Sequence, residues 1–114
     1  MKSVLLLIDN LFFRQKLAAQ LKELGYGAVF EPAGEFSAVI VDLAPRNLNA
    51  ADVIRKMKGD SETSKIPIIG FCGHAETARM ETARAAGCDI VTTNGVISSG
   101  LGGLLEKIGG AGRI

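Results

Sequence analysis

Residues 4–10 read VLLLIDN, and the fold follows from how that stretch is read. Residues 4–8 are apolar without a break, β-branched at both ends, and the chain turns polar at Asp9 and Asn10. A half-exposed strand would place a polar side chain at every second position. An unbroken run this short is the pattern of a strand buried on both faces, which occurs where helices cover both sides of a parallel sheet. One lysine precedes the run and no small-residue cleavage site follows it, so a signal peptide is not indicated.

The rest of the chain repeats the same alternation. Over residues 11–24, Phe13, Leu17, Leu21 and Leu24 recur at helical spacing, and Gly25 and Gly27 stop the helix. Residues 28–30 give a short strand and residues 38–41 a strong one. Residues 50–58 form a helix with Asn49 as N-cap and Val53, Ile54 and Met57 inward. Residues 59–65 are a polar loop. Residues 66–71 form a strand with Pro67 near its start, where a missing N–H is tolerable. A helix over 76–86 ends at Gly87, and residues 90–93 give the last strand. The final helix spans 101–108 with Leu101, Leu104, Leu105 and Ile108 inward, and 109–114 is a frayed tail. Alternating strands and helices predict an α/β three-layer sandwich. One connection is anomalous: only residues 31–36 separate the second strand from the third. Six extended residues span about 20 Å, whereas a crossover through a helix takes a dozen residues or more. The helix expected there is absent or reduced to one turn.

A length of 114 residues fits one domain, and with 47% hydrophobic residues a real core can be buried. The net charge of +1 gives no electrostatic reason to expect nucleic acid or an anionic membrane, and no apolar run approaches the length of a membrane span. Cys72 and Cys88 form no C-x-x-C pair or Cys/His spacing, which reads as two reduced thiols in a cytoplasmic protein.

Polar groups gather at the carboxyl ends of three strands: Asp9 and Asn10 after the first, Asp42 after the third, and Cys72, Gly73 and His74 after the fourth. In an open parallel sheet, ligands bind outside those ends, where strand order reverses. Carboxylates gathered there suit a hard cation such as Mg²⁺, and one of them suits nucleophilic attack on a phosphoryl group.

At these residues the sequence resembles the receiver domains of two-component response regulators. The matching pieces are VLLLIDN, SAVIVDL, IPIIGFCGHAE and the AAGCD before the last strand, over residues 2–108. The resemblance implies a doubly wound, five-stranded parallel sheet in the order 2-1-3-4-5, a receiver-like domain over 1–108, and a signalling role rather than an enzyme's. It also implies an Mg²⁺ site built from Asp9, Asn10, Asp42 and the backbone carbonyl of Ala44, with Asp42 as phosphoacceptor. The switch positions fall on Cys72, where the family has Thr or Ser, and on Asn94, where it has Lys. Pro45 and Arg46 stand where the family has a Met-Pro pair.

These departures matter physically. Asn10 replaces a carboxylate, Cys72 is a weak hydrogen-bond donor, and Asn94 is neutral. Phosphoryl transfer depends on positioning and on stabilised charge, and each lost charge contact costs a few kcal/mol at a dry site. The expectation is therefore a stand-alone degenerate receiver, a pseudo-receiver that acts by protein–protein contact with poor or absent phosphorylation at Asp42 and weak Mg²⁺ binding. The rival reading is a working phosphoprotein of a phosphorelay that takes its phosphoryl group from a histidine kinase with Mg²⁺. A small-molecule binder is a third. His74 reads as a solvated loop histidine, and residues 100–103, GLGG, as a flexible helix start rather than a dinucleotide fingerprint. Phe12 and Phe13 cannot both face the core. The short connection predicts sheet left bare beneath it and a homodimer formed there, unless Phe30 and Phe36 fold over the gap.

Overall fold

The computed structural model describes residues 2–45 and 49–110. Its elements are β1 (Ser3–Leu7), α1 (Leu11–Glu23), β2 (Gly27–Val29), β3 (Ala38–Asp42), α2 (Ala50–Gly59), β4 (Ile68–Cys72), α3 (Thr77–Ala86), β5 (Ile90–Thr93) and α4 (Asn94–Gly110). The five strands make one sheet in the order β2-β1-β3-β4-β5, every pairing parallel.

Because successive side chains of a strand point to opposite faces, each strand feeds two cores. Val4, Leu6 and Ile8 join Ile40, Ile69 and Phe71 under Leu17 and Leu21 of α1 and Ile97, Leu101 and Leu105 of α4. Leu5, Val39 and Val41 join Ile68 and Cys72 under Ala50, Ala51 and Ile54 of α2 and Ala83 and Ala86 of α3. These are the three layers that the sequence predicts. α3 buries small side chains, Ala83 and Ala86, against the sheet. Gly25, at φ +88°, and Gly87, at φ +109°, end α1 and α3 in left-handed geometry that a side chain disfavours.

The sequence reading needs correction in three places. α4 begins at Asn94, not near 101. The Thr93 hydroxyl accepts the Val96 N–H at 3.3 Å, and Ile97 is fully buried, so packing holds a segment whose glycines make it a weak helix former. The helix bends at Gly100, whose φ of −124° and ψ of 23° leave the helical region. Leu24 is 46% exposed, because α1 stops at Glu23 and Leu24 is its C-cap. Third, the sheet beside β2 is not bare. No helix joins β2 to β3, as expected, but Phe36 is half-buried and packs on the core of Leu5, Val39 and Val41. Phe30 instead meets α1, where the Arg14 guanidinium lies 5.2 Å from its ring centre. A cavity of about 440 Å³ remains, lined by Leu7, Pro32, Phe36, Val53 and Met57 among others. Phe13 packs on Phe71 with ring centres 5.0 Å apart, and Phe12 is 89% exposed.

No helix among the described residues is long and apolar enough to cross a membrane. The tail residues 111–114 and Arg46 lie outside the described residues.

Candidate functional site

The strand order reverses between β1 and β3, which places Asp9 and Asp42 side by side at the carboxyl edge of the sheet. Asp42 is half-buried as the last residue of β3, and its Oδ1 accepts the Ala44 N–H at 3.0 Å. Burial holds its carboxyl above the usual carboxylate range. The Ala44 N–H opposes that shift, Asp9 and Glu76 add to it, and Arg79 counters them. The carboxylates of Asp9 and Asp42 are thus close enough to repel, and a cation between them would relieve the repulsion.

Asn10 has a different occupation. Its Oδ1 accepts the Phe13 N–H at 2.9 Å and caps α1. Among the described residues no three acidic, histidine or cysteine side chains converge as a metal site would require. The residues fit a hard cation held loosely by Asp9, Asp42 and the Ala44 carbonyl, since Mg²⁺ retains waters and uses one or two carboxylates.

Cys72, fully buried, ends β4. Its thiol is pushed up by burial and by Glu76, against Arg79, so it is a neutral group with a weak contact to the Glu76 carbonyl at 3.8 Å. Asn94 is exposed, as the first residue of α4 rather than the end of β5. It brings no charge to Asp42. His74 lies exposed in the loop before α3.

Sequence reasoning missed two residues here, Glu76 and Arg79. The Glu76 carboxylate accepts the Gly73 N–H at 3.2 Å and the Arg79 Nε–H at 2.9 Å. Arg79 Nη1 donates to the Leu43 carbonyl at 3.1 Å, next to Asp42. The signal was an acid and a base three residues apart at the start of a helix, a spacing that brings them together.

No protein-family model matches the chain, and no curated protein matches it in sequence. Solved structures do match. The receiver domain of a sensor histidine kinase from Pseudomonas aeruginosa, which carries a magnesium ion in its active-site cleft, superposes with a TM-score of 0.81 at 19% identity, covering 93% of this chain and 95% of that one. The signal receiver domain of a signal-transduction histidine kinase from Syntrophus aciditrophicus gives 0.83 at 16%, covering 95% and 89%. A chemotaxis response regulator of Vibrio cholerae gives 0.83 at 16%, covering 95% and 98%. The chain has the receiver fold. Within that fold Asp42 is the last residue of β3, Asp9 stands two residues after β1, and Asn94, directly after β5, opens α4.

Proposed function

We propose that this protein is a receiver module of two-component signalling that acts by contact with a signalling partner, and that Asp42 is a poor phosphoacceptor. The observation that carries this reading is Asn94: it is uncharged, exposed and built into the first turn of α4, so β5 delivers no cation to Asp42. The use of Asn10 as a helix cap supports it, because the second acidic position then adds no charge to the metal site. Mg²⁺ would contribute charge neutralisation beside Asp42. This chain's residues do the rest: Ala44 N–H orients the Asp42 carboxylate, and burial keeps water from its inner side.

The partner is a signalling protein of the histidine kinase type, and the module is not an enzyme. Two free thiols, Cys72 and Cys88, accord with a reducing, cytoplasmic setting. The cavity beneath the 30–37 connection and the open outer edge of β2 favour weak self-association. Sedimentation equilibrium over a concentration series tests that part, and a monomer throughout rules it out. The retained pair Asp9 and Asp42 favours the rival reading of an efficient phosphoacceptor. Intact mass after incubation with acetyl phosphate and Mg²⁺ decides between them. Transfer to Asp42 releases acetate and adds one phosphoryl group. Slow, substoichiometric addition is expected, and rapid complete addition abolished by Asp42→Asn overturns the poor-acceptor reading.

A further inference from the structure

β2 is an outer strand of the sheet and pairs only with β1. The Gly27 N–H donates to the Lys2 carbonyl at 2.8 Å, so Gly27 and, two residues on, Val29 turn their backbone groups toward β1. Ala28 stands between them and turns its N–H and C=O outward, where neither is bonded among the described residues. Such an edge is a template for another strand, and proteins usually blunt it with lysine, proline or a covering element. Residues 26–30 read YGAVF, with no charge and no proline. No backbone hydrogen bond joins the 31–36 connection to this edge. Tyr26 and Ala28 pack on the α1 side of the sheet, and Phe30, 41% exposed, lies on the same side beside Arg14.

We propose that two copies of this chain join by antiparallel pairing of β2, with the two-fold axis at Ala28. A strand edge laid against its own copy in this way offers the same groups from both sides. Centred on Ala28, every residue of β2 meets a β2 residue of the second copy. Ala28 meets its counterpart and the two exchange both hydrogen bonds, while Gly27 meets Val29. One residue further out, Tyr26 meets Phe30 across the axis, two rings on one face of the sheet. The pairing stops there, because the Tyr26 N–H is already held by the Leu21 carbonyl at 2.8 Å and Pro32 follows soon after Phe30. The two five-stranded sheets become one continuous sheet. A contact of so few residues is weak and depends on concentration. The proposal rests on the reading of weak self-association and names the backbone groups that carry it.

Sedimentation equilibrium of wild type and Ala28→Pro tests it. Because the Ala28 N–H does not serve β1, proline there leaves the sheet's own ladder complete. The variant is expected to raise the dimer dissociation constant about tenfold or more, the value of two backbone hydrogen bonds. Amide exchange in the wild type gives a readout that needs no variant. The N–H groups of Ala28 and Phe30 are expected to exchange more slowly as concentration rises and the dimer fills, while that of Gly95, in the first turn of α4, does not change. A dimer equally strong in Ala28→Pro, or a wild-type dimer whose Ala28 and Phe30 amides exchange as in the monomer, overturns this pairing alone. A wild type that is monomeric throughout overturns the reading of self-association and this pairing with it.

Discussion

The side-chain oxygen of Asn10 accepts the Phe13 N–H at 2.9 Å, so the residue that the receiver resemblance assigns to a second acidic position serves as the N-cap of α1. Asp and Asn cap helices about equally well, and loss of a cap to alanine costs about 1 kcal/mol. The two roles of this position can therefore be separated. Asn10→Asp keeps the cap, changes stability by only a few tenths of a kcal/mol, and tightens Mg²⁺ binding through the added carboxylate. Asn10→Ala is expected to lower stability by about 1 kcal/mol and to leave Mg²⁺ binding little changed. Thermal melts and calorimetric Mg²⁺ titrations read the two effects. Tight Mg²⁺ binding by the wild type, lost in Asp9→Ala, would count against the loosely held metal.

At the opposite end of the sheet, Lys58 Nζ lies 2.7 Å from Asp89 Oδ2 and donates to the Ile66 carbonyl at 2.9 Å, while Asp89 accepts the Ile68 N–H at 2.8 Å. The pair ties the end of α2 to the starts of β4 and β5. Both side chains are 19% exposed, so solvent screens the pair only partly. Lys58→Met leaves a carboxylate and a carbonyl short of a donor and is expected to cost about 1–3 kcal/mol. Denaturant unfolding measures it. A change within a few tenths would show that the pair is solvated in the same way before and after folding.

The sheet and its two cores were legible in the sequence because residues 4–8 and 38–41 are continuous apolar runs, which only a doubly covered strand explains. Gly25 and Gly87 marked helix ends for the same local reason that they adopt positive φ. The start of α4 was not legible, since Gly95, Gly100, Gly102 and Gly103 are poor helix formers and only the burial of Ile97 and Leu101 overrides them. Asp42 and Cys72 could be placed at strand ends by position along the chain, whereas Asn94, expected at the end of β5, opens α4 instead. Glu76 and Arg79 could not, because their contacts with Gly73 and Leu43 depend on how α3 settles against the loop after β3.

Cys88 gives the protein a pH dependence at the alkaline end. Its thiol is pushed from 9.0 up to about 11, chiefly by burial. The neutral thiol is the form that the folded state prefers, while the unfolded chain ionises near the ordinary value. Its contribution to stability is thus fully present below about pH 9 and is lost as pH rises through the folded value, a change of about 2–3 kcal/mol in total. Denaturation midpoints of wild type and Cys88→Ser, compared at pH values on either side of that window, test this. Wild type is expected to lose more than the variant on the alkaline side, and parallel losses would remove Cys88 as the cause.

Asn94 offers the sharpest test of why Asp42 should accept phosphoryl groups poorly. A lysine there would set an ammonium on a long flexible stem directly after β5, at the carboxyl edge of the sheet that also carries Asp42. It would also stand at the first position of α4, where the helix dipole disfavours positive charge by about 0.3–1 kcal/mol. Asn94→Lys is therefore expected to melt slightly lower than wild type while taking phosphoryl from acetyl phosphate faster. The gain should be about tenfold rather than the hundredfold or more that one preorganised donor supplies in a complete site, because residue 94 sits exposed in the first turn of α4, where a long side chain is not held in place. Combining it with Asn10→Asp should raise the rate further, since one change restores a cation and the other a metal ligand on a different strand end. Mass spectrometry over a time course gives both rates. A double variant no faster than wild type would mean that Asp42 is limited by its own buried setting rather than by the missing charges.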